Sequence, residues 1–111
     1  MEIKIAIKAL AALAQETRLA LFRLLVQAEK SGLSAGQLAK ELSIPNATLS
    51  FHLKELVNAD LVIGRQENRF IYYTANFTTM NALLHFLSEN CCAGDSVNLV
   101  ATCCGEKIDS I

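Results

Sequence analysis

No cysteine occurs in the first 90 residues of this 111-residue chain, and nowhere is there a Cys-x-x-Cys motif or a glycine-rich phosphate loop. Histidine is nearly as scarce, with only His52 and His85. A cysteine nucleophile therefore has two imidazoles at most to use as a base, and a nucleotide has no loop to cradle it, which argues against an enzyme. Long apolar runs are missing too. Lys8, Arg18, Arg23, Lys30 and Lys40 interrupt each one far short of the roughly 20 residues a bilayer crossing needs. The opening Met1-Glu2-Ile3-Lys4 lacks the apolar core of a secretion signal, so a cytoplasmic protein with reduced thiols is expected. Excess positive charge is also absent. Residues 1–90 hold nine Lys/Arg against eight Asp/Glu, residues 91–111 hold one against three, and the net charge is −1. Any nucleic-acid contact must come from local placement of charge.

What the chain does have is apolar surface. It is 52% hydrophobic with a mean hydropathy of +0.32, more than one small domain hides by itself, so a homodimer is expected. No internal repeat or low-complexity stretch divides it. Ile3, Ile7, Leu10 and Leu13 or Ala14 recur at helical spacing, and Leu21, Leu24, Leu25 and Ala28 do so again after Gln15-Glu16-Thr17. Ser34-Ala35-Gly36-Gln37 is a capping box opening a third helix over 34–42, with Leu38 and Leu42 inward. Ser43-Ile44-Pro45 breaks it, and Pro45 suits the first turn of a fourth helix over about 45–59.

Two β-prone runs, Leu61-Val62-Ile63-Gly64-Arg65-Gln66 and Arg69-Phe70-Ile71-Tyr72-Tyr73-Thr74, flank Glu67-Asn68, where asparagine tolerates the positive φ of a tight hairpin. Met80, Leu83, Leu84 and Leu87 mark a fifth helix over about 77–90, its stripe divided between core and dimer contact. Beyond Ala93 the pattern is lost, except at residues 97–100, a short strand or docked segment. The division is a domain of residues 1–90 and a cysteine-containing tail of residues 91–111. The fold class is mainly α with a β-hairpin: a winged helix-turn-helix, dimeric through its terminal helices.

In that arrangement the fourth helix can enter a major groove. It carries Asn46, Thr48, Ser50, His52 and Lys54, read as offered from one side, with Leu49, Leu53 and Leu56 inward. Arg65 and Arg69 bracket the hairpin tip, within reach of phosphate or a narrow minor groove.

The chain resembles the ArsR/SmtB family of bacterial metal-responsive repressors. The resemblance covers roughly residues 9–92 and rests on Leu10-Ala11-Ala12-Leu13-Ala14-Gln15-Glu16-Thr17-Arg18-Leu19, on Ala47-Thr48-Leu49-Ser50-Phe51-His52-Leu53-Lys54-Glu55-Leu56, and on the hairpin ending in Tyr72-Tyr73. It implies a dimer on a palindromic operator in double-stranded DNA, released by a metal or metalloid. Ser50 and His52 match the family's recognition-helix positions, with Asn46, Thr48 and Lys54 as base or phosphate contacts. Two departures bear on the hairpin: Ala59-Asp60 stands where the family usually has Ala-Gly, and Asn68 where the wing often has Gly.

The arsenite site that some members carry as Cys-Val-Cys before the turn is absent, since Leu33-Ser34-Ala35-Gly36-Gln37 stands there. The last helix offers His85 and Glu89 where zinc-sensing members have paired His and carboxylates, and His85 reads as packed or partly exposed rather than as a ligand. Glu89-Asn90-Cys91-Cys92 instead is similar to a subgroup whose arsenic-binding cysteines lie just past this helix, with another further on.

The chemistry of the tail agrees. Cys91, Cys92, Cys103 and Cys104 satisfy by count either trivalent arsenic or antimony, which bind up to three sulfurs, or zinc, which takes four N/S ligands. Adjacent cysteines diverge by about 100° if helical and chelate one tetrahedral centre poorly. The expected function is a repressor that needs no cofactor to bind DNA and lets go on binding arsenic(III) or antimony(III), as arsenite, antimonite or a trivalent organoarsenical. The alternatives are a thiol redox-responsive repressor, a zinc- or cadmium-responsive one, and a small arsenical carrier that ignores duplex DNA.

Overall fold

The computed structural model describes residues 1–89. The expected order of helices and hairpin is present: α1 (Ile3–Leu13), α2 (Glu16–Ala28), α3 (Ala35–Leu42), α4 (Asn46–Asn58), β2 (Val62–Glu67), β3 (Phe70–Ala75) and α5 (Phe77–Ser88). Two short elements were not anticipated: a 3₁₀ turn over Glu29–Ser31 follows α2, and a strand precedes α3. The two-residue strand, β1 (Leu33–Ser34), pairs antiparallel with β3, so the hairpin is two strands of a three-stranded sheet in the order β1-β3-β2.

Local chemistry accounts for the boundaries. Gln15 caps α2, its side-chain oxygen accepting from the Arg18 amide at 2.9 Å. The Ser34 hydroxyl accepts from the Gln37 amide at 3.3 Å and the Gln37 side chain from the Ser34 amide at 2.9 Å, the capping box read from the sequence. Ser43, in the left-handed region, ends α3, and its amide donates back to Ala39 and Lys40 carbonyls. Pro45 sits one position earlier than expected, as the N-cap of α4 rather than in its first turn. Strands β2 and β3 pair from Val62 with Ala75 to Glu67 with Phe70, leaving Asn68 and Arg69 as the turn, with Asn68 at φ 58°. Gly32, at φ 71°, is required: a Cβ there would lie 2.6 Å from the Tyr73 carbonyl oxygen and 2.8 Å from Thr74 Cγ2.

The core is built from Leu21, Leu25, Leu38, Leu49, Leu56 and Leu61, with Ala6, Ala9 and Ala12 turned in from α1. Small residues on that side let α1 approach α2 and α4. The stripe that the α1 periodicity marked faces the other way: Ile3 is 63% exposed and Ile7 57%, and Leu10 is exposed with them. The α5 stripe divides as expected, Leu83 buried and Met80 half-buried, Leu84 and Leu87 exposed. Large aliphatic side chains on both terminal helices are thus exposed among the described residues. Asn90, the four cysteines, residues 97–100 and the proposed tail of 91–111 lie outside the described residues.

Candidate nucleic-acid interface

Three residues, Ser43 to Pro45, separate α3 from α4, the dimensions of a helix-turn-helix. On α4, Leu49, His52, Leu53 and Leu56 recur at i, i+3, i+4 and i+7 and form the buried side. Asn46, Thr48, Ser50 and Lys54 are exposed, together with Ala47, Phe51 and Asn58. The outward face centres on Ala47, Phe51 and Lys54, with Ser50 beside them.

His52 corrects the sequence reading. It is only 8% exposed and belongs to the inward stripe, three residues after Leu49 and four before Leu56. Its Nδ1 lies 3.3 Å from Arg18 Nη1, and because a guanidinium only donates, the imidazole accepts there and is neutral. Arg18 also donates from Nε to the Ala12 carbonyl at 2.6 Å, satisfying an acceptor at the C-terminal end of α1. Burial, and then the Arg18 charge, hold the His52 pKa below its ordinary value, while Glu55 acts weakly in the opposite direction. His52 fixes the recognition helix against α1 and α2; it does not share the surface of Ser50 and Lys54.

The wing arginines differ from each other. Arg65 donates from Nε to Glu67 Oε2 at 2.8 Å and from Nη2 to the Ser31 carbonyl at 3.4 Å, and its guanidinium lies 5.9 Å from the centre of the Tyr72 ring. Arg69 is exposed at the tip and makes no ion pair among the described residues. The exposed Arg65–Glu67 pair is weak, so an approaching phosphate can compete for it.

Behind α4 the chain turns at Asp60, a non-glycine at φ 64° in the place where the resembling family usually has glycine. Its side chain compensates. Thr79 donates from Oγ1 to Asp60 Oδ2 at 3.2 Å, and Asn76, the N-cap of α5, donates from Nδ2 to Asp60 Oδ1 at 3.4 Å and to the Asp60 main-chain carbonyl at 3.0 Å. A carboxylate at a helix N-terminus also meets the favourable end of its dipole. The turn after the recognition helix is thereby tied to the start of α5.

On α5, His85 is exposed and Glu89 is the C-cap. Among the described residues no group of three His, Cys, Asp or Glu side chains could hold a metal ion, and no helix is long and apolar enough to cross a membrane. Phe51 is the exposed residue of this face that the sequence reading did not single out. Its position four after Ala47 and three before Lys54 was the available signal.

Comparison with known proteins gives these features a context. The helix-turn-helix domain family matches residues 13–65. The transcriptional activator HlyU of Vibrio cholerae is 33% identical over 87 residues, covering 78% of each chain. A solved HlyU structure has a TM-score of 0.62 at 35% identity, covering 78% of this chain and 97% of that one, and a reduced form of HlyU gives 0.63 at 31%, covering 80% and 90%. An ArsR-like transcriptional regulator from Rhodococcus sp. RHA1 has a TM-score of 0.71 at 26% identity, covering 94% of both chains. A structure described as a possible transcriptional regulator for arsenical resistance has 0.63 at 29%, covering 86% of this chain and 95% of that one. A buried-backed recognition helix, a paired wing and these likenesses lead to one conclusion: the chain belongs to the ArsR family of winged helix-turn-helix transcriptional regulators.

Proposed function

We propose that the protein is a homodimeric repressor that occupies a palindromic operator and leaves it when trivalent arsenic or antimony is captured by thiolates among Cys91, Cys92, Cys103 and Cys104. One juxtaposition carries the reading. In the sequence, Cys91 and Cys92 follow two and three positions after Glu89, the C-cap of the helix whose Leu84 and Leu87 are exposed among the described residues. A sensor at that point acts directly on the helix that a second copy would cover. Ile3, Ile7 and Leu10 on α1 add to that surface, as does an apolar hollow of about 440 Å³ lined by Leu19, Phe22, Met80, Leu83 and Leu84.

On DNA, Ser50 and Lys54 face the groove with Asn46 and Thr48 on its two flanks, Arg69 meets the flanking backbone, and Arg65 joins it when it exchanges Glu67 for phosphate. Thiolates are the soft ligands that trivalent arsenic prefers, and three of four suffice. Drawing them around one ion would shift α5 and change the spacing of two recognition helices that must meet half-sites about 34 Å apart. A coupling of roughly 1 to 3 kcal/mol would release the operator. The relation to a protein described as a regulator for arsenical resistance supports the choice of inducer. HlyU is named an activator, so repression, as the direction of control, is part of the proposal.

A thiol redox switch is the second reading, favoured by the reduced form in which HlyU is described. Fluorescence anisotropy of the reduced protein on a duplex from upstream of its gene, titrated in parallel with arsenite, zinc and a thiol oxidant, separates the two. Release by equimolar or less arsenite alone supports the metalloid repressor; release by oxidant alone supports the redox switch; no DNA binding refutes both and leaves an arsenical carrier. Cys91→Ser with Cys92→Ser is expected to leave operator affinity unchanged and to abolish release by arsenite. Loss of DNA binding in that variant would count against a trigger role.

A further inference from the structure

Phe51 is 57% exposed at the centre of the outward face of α4, between the polar side chains of Ser50 and Lys54. It is the sixth residue of the helix, in the half that meets base edges when such a helix enters a major groove. Its side chain has no hydrogen-bonding atom, so it cannot read the donor and acceptor pattern of a base pair. The one apolar feature that base edges present in the major groove is the 5-methyl group of thymine. Ala47, one turn earlier on the same face and also exposed, adds a second small apolar surface beside the ring. The ring is held edge-on to His52, with centroids 5.4 Å apart and planes at 64°, and His52 is itself held by Arg18.

We propose that Phe51, with Ala47, forms a thymine-methyl-reading subsite that sets part of the operator sequence. The proposal rests on reading α4 as the recognition helix. Ser50 and Lys54 flank the subsite with a hydroxyl and an ammonium group, which position the helix on the backbone or hydrogen-bond neighbouring bases. Methyl reading is a hydrophobic contact. Burial of one methyl-sized group contributes about 0.8 kcal/mol, which is about a fourfold change in affinity.

The test removes methyl groups from DNA and the ring from the protein. A duplex is first selected by the full-length protein from a randomised pool, and each half-site thymine is then replaced singly by deoxyuridine, which lacks only the methyl. Anisotropy is expected to show about a fourfold loss at one or two thymines for the native protein. Phe51→Ala is expected to bind about five- to tenfold more weakly and to lose the deoxyuridine penalty at those positions. Lys54→Ala is expected to bind more weakly with the penalty intact. The proposal is overturned if no half-site thymine responds, or if Phe51→Ala keeps the full penalty at every position. Enrichment of no duplex at all would remove the recognition-helix reading and this subsite with it, whereas tight binding without methyl dependence removes only the subsite.

Discussion

Large apolar side chains stand in water on the wing, at Ile63, Phe70 and Ile71, and on two helical surfaces that expose them differently. On α1 and α5, Ile3, Ile7, Leu10, Leu84 and Leu87 recur at helical spacing with aliphatic neighbours one turn away. On α4 a single aromatic, Phe51, lies among Ser50, Lys54 and Asn58, with Ala47 one turn before it. A continuous aliphatic stripe is complementary to another stripe of the same kind, and the simplest supplier is a second copy of the chain. An isolated ring among polar groups is complementary to a partner that alternates charge, hydrogen-bonding edges and small apolar features, as a DNA groove does. Apolar exposure by itself therefore does not identify a partner; the spacing of that exposure does.

Breaking the first surface should have the largest effect. Ile7→Glu with Leu10→Glu places charge in the stripe without touching the core formed by Ala6, Ala9 and Ala12. Sedimentation velocity is expected to shift from dimer to monomer mass, and operator affinity to fall by about a hundredfold or more as avidity between half-sites is lost. A persistent dimer would show that the stripe is covered by something else.

A smaller effect is expected at the junction between the two surfaces, where Asp60 ties the end of α4 to the start of α5. Asp60→Ala keeps the positive φ without glycine's freedom and removes the Thr79 bond, so urea denaturation should show a loss of about 2 kcal/mol. Asp60→Gly relieves the backbone while losing the same bond and should stay within about 1 kcal/mol of the native protein. Equal losses in the two variants would mean that the side-chain bond, and not the backbone, is what Asp60 supplies.

The smallest effect is on the other junction and depends on pH. Because the His52 pKa is lowered in the folded protein, the unfolded chain takes up its proton first as pH falls. The associated stability is complete above the ordinary histidine pKa of about 6.5 and is lost as pH falls from there through the folded value. Protonation would also set an imidazolium against Arg18, while Glu55 offers partial compensation. Thermal midpoints measured from pH 8 to 5 should decline less steeply in His52→Gln than in the native protein. Parallel slopes would assign the decline to other groups.

Much of this was legible in the chain, for identifiable reasons. Periodicity located all five longer helices, the capping box fixed the start of α3, and Asn68 announced the hairpin turn. The sequence also carried the stripe on α1, yet periodicity reports a shared side and not what covers it, so the buried side proved to be alanine. Grouping residues 46, 48, 50, 52 and 54 puts His52 outward, but alternate residues share a face in a strand, not in a helix. Counting by three and four places His52 with Leu49 and Leu56 and brings Phe51 to the front. Strand β1 was invisible because two residues have no period; only its partner on β3 defines it. The role of Asp60 needed coordinates, since its supports come from residues 16 and 19 positions away.

Ser34 is at once the last residue of β1, paired with Tyr72 of the wing, and the N-cap of α3. A single residue thus sets the phase between sheet and helix-turn-helix. An insertion between Gly32 and Ala35 would change that phase and rotate the wing relative to the reading helix, whereas an insertion at Asn68 and Arg69 would only lengthen a tip. Length variation among descendants of this sequence should therefore accumulate at the hairpin end and be purged at the two-residue strand, making the shortest element of the fold its least editable one.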